Sequence, residues 1–324
     1  MLLLAGDIGG TNTRLRLVQT NDEGSIVTTI REQEYPSGQD GLVPLVQVFL
    51  GTELKPEKAC FALAGPVINN KCKITNLPWS ELNSYQLQQE LDIAKVTLIN
   101  DFVAVGYNIV LEKNNSLITL QTGEYVKDAP VAIIGAGTGL GKAFAIPQND
   151  NYQVFPTEGG HQGFSPNNSL EEELLQYLRV YGKVDVERVV SGVGIVNIFR
   201  FLRDCKLPRE PIGNILDQDD PAAEIAKGAK QGNFLCQRTM EIFAETYGAA
   251  AGDMAVSFLP FGGLYIAGGI ALKNIELMQN GRFMEAFKSK AKLNPLLLEK
   301  IPVHIVLNPL EGLTGAIQYA ANKM

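Results

Sequence analysis

The sequence predicts an α/β fold with parallel strands, divided into about two domains. Short apolar runs of strand length alternate along the chain with segments whose apolar residues recur at helical spacing. Several of the short runs end directly in glycine-rich turns. The chain of 324 residues also has the length of two ordinary domains.

Composition and charge narrow the class of protein. Hydrophobic residues make up 45% of the chain and charged residues 19%, as in ordinary soluble enzymes. The net charge of −7, without any basic block, argues against a nucleic-acid-binding surface. No apolar run approaches the roughly 18 residues of a membrane span, and residues 2–4 are too short for a signal peptide. We therefore expect a cytoplasmic protein that binds neither nucleic acid nor membrane.

The first half of the chain is predicted to contain strands with helices between them. Its predicted strands cover residues 2–5, 14–19, 26–34, 59–64, 71–75 and 96–99. The first three form an antiparallel meander, because the turn-forming residues 21–24 separate the last two of them. Its predicted helices cover residues 41–50, 80–91 with Ser80 as the N-cap, and 102–111. Residues 112–122 are polar and lose periodicity, so the first domain is predicted to end after residue 112.

The second half repeats this alternation. Its predicted strands cover residues 131–134, 142–146, 152–155, 264–267 and 303–307. Its predicted helices cover residues 169–180, about 194–202, a segment that starts at Pro221, 233–258 and 312–321. Ser169 with Glu172 forms a capping-box pattern at the start of the first of these helices. The Gly248-Ala-Ala-Ala-Gly252 patch in the longest one predicts close packing against a neighbour.

Glycine-rich loops follow three of the predicted strands, at Gly6-Asp-Ile-Gly-Gly-Thr11, Gly135-Ala-Gly-Thr-Gly-Leu-Gly141 and Gly268-Gly269. The second loop is not a dinucleotide fingerprint, which needs a glycine at Leu140, nor a P-loop, which needs Ser or Thr at Ala143. Each loop alone is most simply a structural turn. Glycine lets a ligand approach the backbone closely, and successive N–H groups bind anions, so their recurrence after strands favours phosphate binding.

Two aspartates stand at strand ends. Asp7 lies inside the first loop, where a carboxylate beside a phosphate requires a cation between them, and Mg²⁺ suits that position. The alternative is that Asp7 only caps the turn. Asp101 follows the strand at 96–99 and precedes the helix at 102–111, whose N-terminus favours its ionised form. It is either a general base for a hydroxyl that attacks phosphorus or an ordinary helix N-cap.

A third polar group surrounds Gly159-Gly160. The two glycines allow the backbone to turn so that Glu158 and His161 face one small polar ligand, as in the binding of vicinal sugar hydroxyls. His304 alternates with apolar residues in a strand and is assigned a structural role. Spacing alone does not decide whether Glu187 binds the same polar ligand or forms a surface ion pair with the arginine that follows it.

Seven motifs together make the sequence resemble the bacterial glucokinase family, in the form close to the enterobacterial enzymes. They are Gly6-Asp-Ile-Gly-Gly-Thr-Asn-Thr-Arg14, Thr75-Asn76 with Trp79, Ile99-Asn-Asp-Phe102, Gly135-Ala-Gly-Thr-Gly-Leu-Gly141, Glu158-Gly-Gly-His161, Glu187-Arg-Val-Val-Ser-Gly192 and Ala267-Gly-Gly-Ile270. They occur in the family's order and cover nearly the whole chain. The first motif is shared with wider sugar-kinase relatives, whereas its combination with Asn100-Asp101 and Glu158-Gly-Gly-His161 is much more specific.

The resemblance implies a two-domain ribonuclease H-like (actin-like ATPase) fold with an interdomain cleft. The small domain would hold residues 1–112 plus 312–324, and the large domain residues 113–311. The resemblance implies that ATP phosphates bind to Gly6, Asp7, Ile8, Gly9, Gly10 and Thr11 and to Gly137, Thr138 and Gly139, with adenosine toward Gly268 and Gly269. It implies that D-glucose binds Asn76, Asn100, Asp101, Glu158, His161 and Glu187. Asp101 would be the base for the 6-hydroxyl, and Asp7 would position hydrated Mg²⁺.

Other functions on the same fold stay open at this point, namely a kinase for another hexose or a non-catalytic sugar-sensing protein. ATP is the donor that the resemblance implies, and the residues do not exclude ADP or polyphosphate. The cysteine-rich zinc motif of the related ROK group is absent after His161, so we expect no structural zinc. The four cysteines lack metal-ligand spacing and are expected to be mostly buried thiols. We expect a homodimer.

Overall fold

The computed structural model describes residues 1–21, 26–38, 41–74, 77–111, 116–149, 151–206, 214–290 and 295–324. The chain divides into two compact units. The first unit comprises Met1–Asn115, Tyr152–Pro156 and Leu310–Met324, and the second comprises Ser116–Asn151 and Thr157–Pro309. Residues 152–156, which the sequence assigns to the larger domain, therefore group with the first unit. The predicted boundary after residue 112 lies outside the described residues.

Strands and helices follow one another along the whole chain. The first ten elements are β1 (Leu2–Ile8), β2 (Asn12–Thr20), β3 (Ile26–Pro36), α1 (Leu42–Leu50), β4 (Lys58–Leu63), β5 (Lys71–Cys72), β6 (Leu82–Asn83), α2 (Ser84–Leu91), β7 (Lys95–Asn100) and α3 (Asp101–Leu111). The next seven are β8 (Leu117–Gln121), β9 (Val131–Ala136), β10 (Leu140–Gln148), β11 (Asn151–Thr157), α4 (Ser169–Leu178), α5 (Gly192–Cys205) and α6 (Pro221–Lys230). The last eight are α7 (Phe234–Phe258), β12 (Leu264–Ala267), α8 (Gly269–Lys273), α9 (Ile275–Gln279), α10 (Arg282–Lys288), α11 (Pro295–Glu299), β13 (Val303–Val306) and α12 (Glu311–Lys323).

The sheet of the first unit has the strand order β3-β2-β1-β4-β7. Strands β1, β2 and β3 form the predicted antiparallel meander, and β1, β4 and β7 are parallel. Apolar side chains of the sheet, α1 and α2 form one buried cluster. Helices α3 and α12 pack with their backbones in contact, because a Cβ on Gly315 would lie 1.7 Å from the carbonyl oxygen of Ala104. The alternation of strands and helices thus gives the predicted α/β layer.

The second unit contains a sheet in which the strands follow the order β10-β9-β12-β13-β8. Strands β9, β12 and β13 are parallel, and β10 and β8 pair antiparallel with β9 and β13. Helices α5, α7 and α10 bury their apolar residues in one core with these strands. The predicted close packing of α7 is confirmed, since a Cβ on Gly248 or Gly252 would lie 2.1 or 2.3 Å from a carbonyl oxygen of α10.

Three local predictions are wrong, and each has a physical reason. Helix α2 is capped by Asn83 rather than Ser80, because β6 pairs with β5 up to Asn83 and delays the helix. Helix α4 is capped one residue earlier than predicted, by Asn168, whose side chain accepts from the backbone N–H of Glu171. Strand β8 occupies part of the stretch predicted to lack periodicity, since a half-exposed strand beside β13 needs no apolar alternation.

The helices of the described residues include none that is both long enough and apolar enough to cross a membrane.

Candidate active site

In the first unit, the chain leaves the sheet at the same edge after the three parallel strands β1, β4 and β7. Ile8 of β1 lies opposite Leu63 of β4, and Leu63 lies opposite Asn100 of β7, so the parallel strands end at the same level. The carboxyl edge of parallel strands is where α/β proteins bind ligands. The residues that follow these strands are therefore neighbours, although long segments of sequence separate them.

The loop after β1 is a tight turn that Ser37 fastens. The backbone N–H of Gly9 donates to the carbonyl oxygen of Asn12 at 2.9 Å, and the Ser37 hydroxyl donates to the carbonyl oxygen of Gly9 at 2.7 Å. Gly10 and Thr11 lie exposed at its tip. Gly6 serves a different purpose, because a Cβ there would lie 2.7 Å from the ring of Phe61 in the core.

Asp7 lies within β1, below this turn. Its carboxyl group faces the first turn of α12, since a Cβ on Gly312 would lie 3.1 Å from its Cγ. Burial raises the pKa of Asp7, and the positive charge of Arg14 opposes that rise. A helix N-terminus also attracts a carboxylate. A single carboxylate beside an exposed glycine turn fits a Mg²⁺ ion that is otherwise held by water and phosphate oxygens.

Asn100 and Asp101 share the beginning of α3 but have different contacts. The Asn100 side-chain oxygen accepts from the backbone N–H groups of Phe102 and Val103, at 2.9 and 3.3 Å. Its amide donates to the carbonyl oxygen of Gly65 at 3.1 Å. Asn100 therefore acts as the N-cap of α3, the role that the sequence left open as the alternative for Asp101. Asp101 is the first helical residue, partly exposed, with Oδ1 accepting from the N–H of Phe102 at 2.9 Å.

Asn76, which the resemblance assigns to the sugar, lies outside the described residues.

In the second unit, the loops after β9 and β12 meet. Gly135 lies opposite Ala267 in parallel register, so the two glycine loops follow neighbouring strands. Gly268 has φ 86°, and a Cβ there would lie 2.7 Å from the carbonyl oxygen of Ala136, so no other residue fits. The N–H of Gly192, the first residue of α5, donates to the carbonyl oxygen of Gly137 at 2.8 Å.

A cavity of about 460 Å³ opens beside these loops. Gly137, Thr138 and Gly269 line it, as do apolar residues of α5, α6 and α8, namely Ile195, Ala222, Ala226 and Ile270. Its charged lining residues are one carboxylate, Asp220, and three lysines, Lys227, Lys230 and Lys273. Apolar walls with cationic and glycine-rich surroundings suit a flat base attached to phosphates. These lysines could not be predicted as site residues, because nothing in their spacing in the sequence separates them from a solvated helix face.

Glu158 precedes a short 3₁₀ turn, Gly159–His161, and His161 is its last residue. Gly160 is required there because a Cβ would lie 2.2 Å from the carbonyl oxygen of Leu140. The imidazole Nδ1 of His161 lies 3.1 Å from Oδ2 of Asp185. This hydrogen bond is the main cause of a raised pKa of His161, which desolvation opposes and the charges of Glu187, Asp185 and Glu158 increase.

Glu187 joins this polar group to the second glycine loop. Its Oε2 accepts from the backbone N–H of Leu140 at 2.8 Å, and it fills the space where a Cβ of Gly139 would lie 2.5 Å away. The guanidinium of Arg188 lies 6.0 Å over the ring of Tyr181 instead of pairing with Glu187. The structure thus brings Glu158, His161 and Glu187 together in the second unit.

Comparison with known proteins identifies the family. Residues 4–323 match the Glucokinase family. The chain is 50% identical over 341 residues to a glucokinase of Trichormus variabilis, with 99% of both chains covered. The crystal structure of a glucokinase from an Antarctic psychrotroph superimposes with a TM-score of 0.81 at 29% identity, covering 99% of each chain.

A more distant solved structure shares the fold. It is a ROK family glucokinase from Streptomyces griseus in complex with glucose and AMPPNP, with a TM-score of 0.68, 20% identity and 99% coverage of each chain. The predicted actin-like ATPase fold is therefore confirmed. The match over nearly the whole length shows that this chain belongs to the glucokinase family.

Proposed function

We propose that Asp101 is the general base in the ATP-dependent phosphorylation of D-glucose at its 6-hydroxyl, the reaction of the family to which this chain belongs. The 6-hydroxyl oxygen forms a bond to the γ-phosphorus while the bond from that phosphorus to the β–γ bridging oxygen breaks. The products are glucose 6-phosphate and ADP. The hydroxyl proton passes to the carboxylate of Asp101 as the new bond forms.

The position of Asp101 is the observation that carries this proposal. It follows β7 at the sheet edge where the exposed Gly10 and Thr11 turn also lies. Asn100 already caps α3, so the helix does not need the Asp101 carboxylate as its cap. A carboxylate that is partly exposed at this edge can accept a proton from a bound hydroxyl.

We assign sugar binding to Glu158, His161 and Glu187, with Asn76, Asn100 and Asp101 as further ligands. The clustering of two carboxylates and an imidazole supports this assignment, because such groups accept from and donate to neighbouring hydroxyls. Phosphoryl transfer asks little covalent chemistry of the protein, so positioning by these groups supplies much of the catalysis.

We assign the nucleotide to the cavity of the second unit, with its phosphates on Gly137, Thr138 and Gly139 and on the turn of residues 6–11. Gly268 and Gly269 would border the adenosine. The AMPPNP bound by the Streptomyces griseus relative supports a nucleotide donor. Mg²⁺ would neutralise charge on the phosphates, and Asp7 would hold it, directly or through water.

A matrix of sugars and phosphoryl donors tests the proposal on the purified chain. D-glucose, fructose and N-acetylmannosamine are each assayed with ATP, ADP and polyphosphate by product formation. We expect the highest kcat/KM for glucose with ATP. A clear preference for another hexose would show that glucose is not the main substrate. Sugar binding without turnover for every pair of sugar and donor would favour a sugar sensor.

A further part of this proposal concerns the whole protein. The protein would be a homodimer, and a solution mass of one chain, 35.2 kDa, would contradict this.

A further inference from the structure

Asp185 precedes the 3₁₀ turn Val186–Arg188 in the second unit, and its two carboxylate oxygens contact different partners. Oδ2 lies 3.1 Å from Nδ1 of His161. Oδ1 accepts from the backbone N–H of Arg188 at 3.1 Å and so caps the turn that carries Glu187. One side chain therefore contacts one residue of the proposed sugar site, His161, and fixes the backbone at another, Glu187.

The backbone around Asp185 holds this arrangement. Residues 162–164 pair with residues 184–186, because the N–H of Phe164 donates to the Val184 carbonyl at 3.0 Å and the N–H of Val186 donates to the Gln162 carbonyl at 2.9 Å. Gly163 and Asp185 form an antiparallel bridge between them. The contact between His161 and Asp185 thus lies beside a short ladder and differs from a pair of long, freely rotating surface side chains.

The contact decides which imidazole nitrogen faces a ligand. An ionised carboxylate can only accept hydrogen bonds, so Nδ1 of His161 carries the proton in this contact. Nε2 is then the nitrogen for a sugar hydroxyl, as an acceptor when the ring is neutral. Glu158 and Glu187 stay hydrogen-bond acceptors for the same sugar. The ring is 58% exposed on its side chain and Asp185 is 23% exposed, so the contact lies at an accessible surface.

We propose that Asp185 is a positioning residue for hexose recognition, holding the Nδ1–H of His161 and capping the turn of Glu187 with one carboxylate. This inference rests on the proposed function, which assigns His161 and Glu187 to the sugar. Asp185 itself contacts neither sugar nor nucleotide in this scheme. Its effect is to fix the distance between two sugar ligands and the tautomer of one of them.

The charges around the ring are consistent with this role. The negative charges of Asp185 and Glu187 reach His161 from the turn Val186–Arg188. The negative charge of Glu158 reaches it from the turn Gly159–His161. All three are acidic, and together with the hydrogen bond to Asp185 they raise the pKa of His161. The KM for glucose should therefore change with pH across the titration of His161, and the midpoint should fall when Asp185 loses its charge.

Two substitutions change the contact of Asp185 with the imidazole ring while keeping its cap on the turn. Asn and Ser are both good caps, so Asp185→Asn and Asp185→Ser should keep the turn Val186–Arg188. Asn presents an N–H₂ group that can donate to Nδ1 and move the proton of the neutral ring to Nε2. Ser is too short to reach the ring. The matched control is Asn168→Ser, which replaces a helix cap of α4 elsewhere in the second unit.

Nitrogen-15 NMR of the imidazoles determines the tautomer of His161 independently of any activity assay. The chain has two histidines, so a His161→Gln variant identifies the signals. Above the pKa, wild type should show Nδ1–H at His161, and Asp185→Asn should show Nε2–H. Both Asp185 variants should raise the KM for glucose by about 3- to 10-fold, the effect of one hydrogen bond, with smaller changes in kcat and in the KM for ATP. Asn168→Ser should leave all three constants unchanged.

The outcomes distinguish this inference from the proposed function. If wild type does not phosphorylate glucose and glucose does not shift the His161 signals, the proposed function is wrong and takes this role with it. If wild type uses glucose but has Nε2–H at His161, or both variants keep the wild-type KM, the role of Asp185 is wrong. Should Asp185→Ser fail to fold, Asp185→Asn, which keeps an acceptor for the N–H of Arg188, gives the same decision.

Discussion

The two large glycine-rich loops follow strands in the same way, but different parts of the molecule hold them. The loop after β1 is closed locally, by the Gly9 to Asn12 hydrogen bond and by Ser37. The loop after β9 is held by distant residues, since Glu187 accepts from the N–H of Leu140 and Tyr247 accepts from that of Ala136.

The comparison separates glycines whose Cβ position is filled by a neighbouring atom from glycines whose Cβ position is open. A neighbouring atom fills the Cβ position of Gly6, Gly139 and Gly268, at 2.5 to 2.7 Å. Gly137 and Gly269 have no atom within 4 Å of that position and line the cavity. Equal spacing in the sequence therefore hides two environments of glycine, one closely packed against a neighbouring atom and one open toward the cavity.

The largest expected effect concerns one carboxylate from each unit, Asp101 after β7 and Glu187 beside the loop after β9. Asp101→Asn should lower kcat by roughly 10²–10⁴-fold with sugar binding largely kept, because the amide cannot take the hydroxyl proton. Glu187→Gln, the matched control, keeps an oxygen for the N–H of Leu140 and should lose much less turnover. Steady-state kinetics at saturating glucose and ATP measures both. Near-normal turnover of Asp101→Asn would remove Asp101 from the mechanism.

The second prediction compares two glycines of one loop. Gly139→Ala should lower the free energy of unfolding by about 1–3 kcal/mol, because the new methyl group overlaps the Glu187 carboxylate. Gly137→Ala has open space, so it should unfold like wild type and instead weaken ATP binding. Urea titration and the KM for ATP give the two readings. Equal loss of stability in both variants would contradict the distinction between the glycines.

The third prediction compares the two histidines of the second unit. His161→Ala should raise the KM for glucose by about 3- to 10-fold, since it removes a hydrogen-bonding partner of the sugar. His304 lies in β13, where Nδ1 is 3.1 Å from the hydroxyl of Thr119 and the ring packs near Tyr265. His304→Ala should leave the KM for glucose unchanged. An unchanged KM in His161→Ala would reject its role in sugar binding.

The smallest expected effect is the dependence of stability on pH. Burial lowers the pKa of His304, whereas the contact with Asp185 is the main cause of the raised pKa of His161. Below the unfolded-state value of about 6.5, His304 therefore costs stability as the unfolded chain takes up its proton first. His161 stabilises the fold below that pH, and this stabilisation is lost as the pH rises through the folded-state pKa of His161.

Urea unfolding at several pH values measures this difference. His304→Gln should remove a loss of stability on acidification, and His161→Gln should remove a gain. Curves with the same pH dependence as wild type for both variants would show that neither ring titrates differently in the folded and unfolded chains.

Much of the fold could be predicted because its signals are local. The apolar runs of β1, β4, β7, β9 and β12 and the glycines after them lie within a few residues of one another in sequence. The antiparallel meander, the long helix α7 with its Gly248 and Gly252 contact, and the α6 start at Pro221 follow from the same kind of signal. Two local errors arose where strand pairing overrode a local pattern, as β5 does at β6 before α2 and β13 does at β8.

The candidate site divides in the same way. The sequence by itself determined that polar residues and glycines follow parallel strands, because strand length, apolar patterning and the backbone freedom of glycine are properties of short segments. Only the tertiary structure decided that Glu187 holds the loop at Leu140, that Asp185 contacts His161, and that α5, α6 and α8 form the walls of a cavity. Those contacts join residues far apart in the chain, and their partners depend on how helices pack on the sheet, which the spacing of residues does not record.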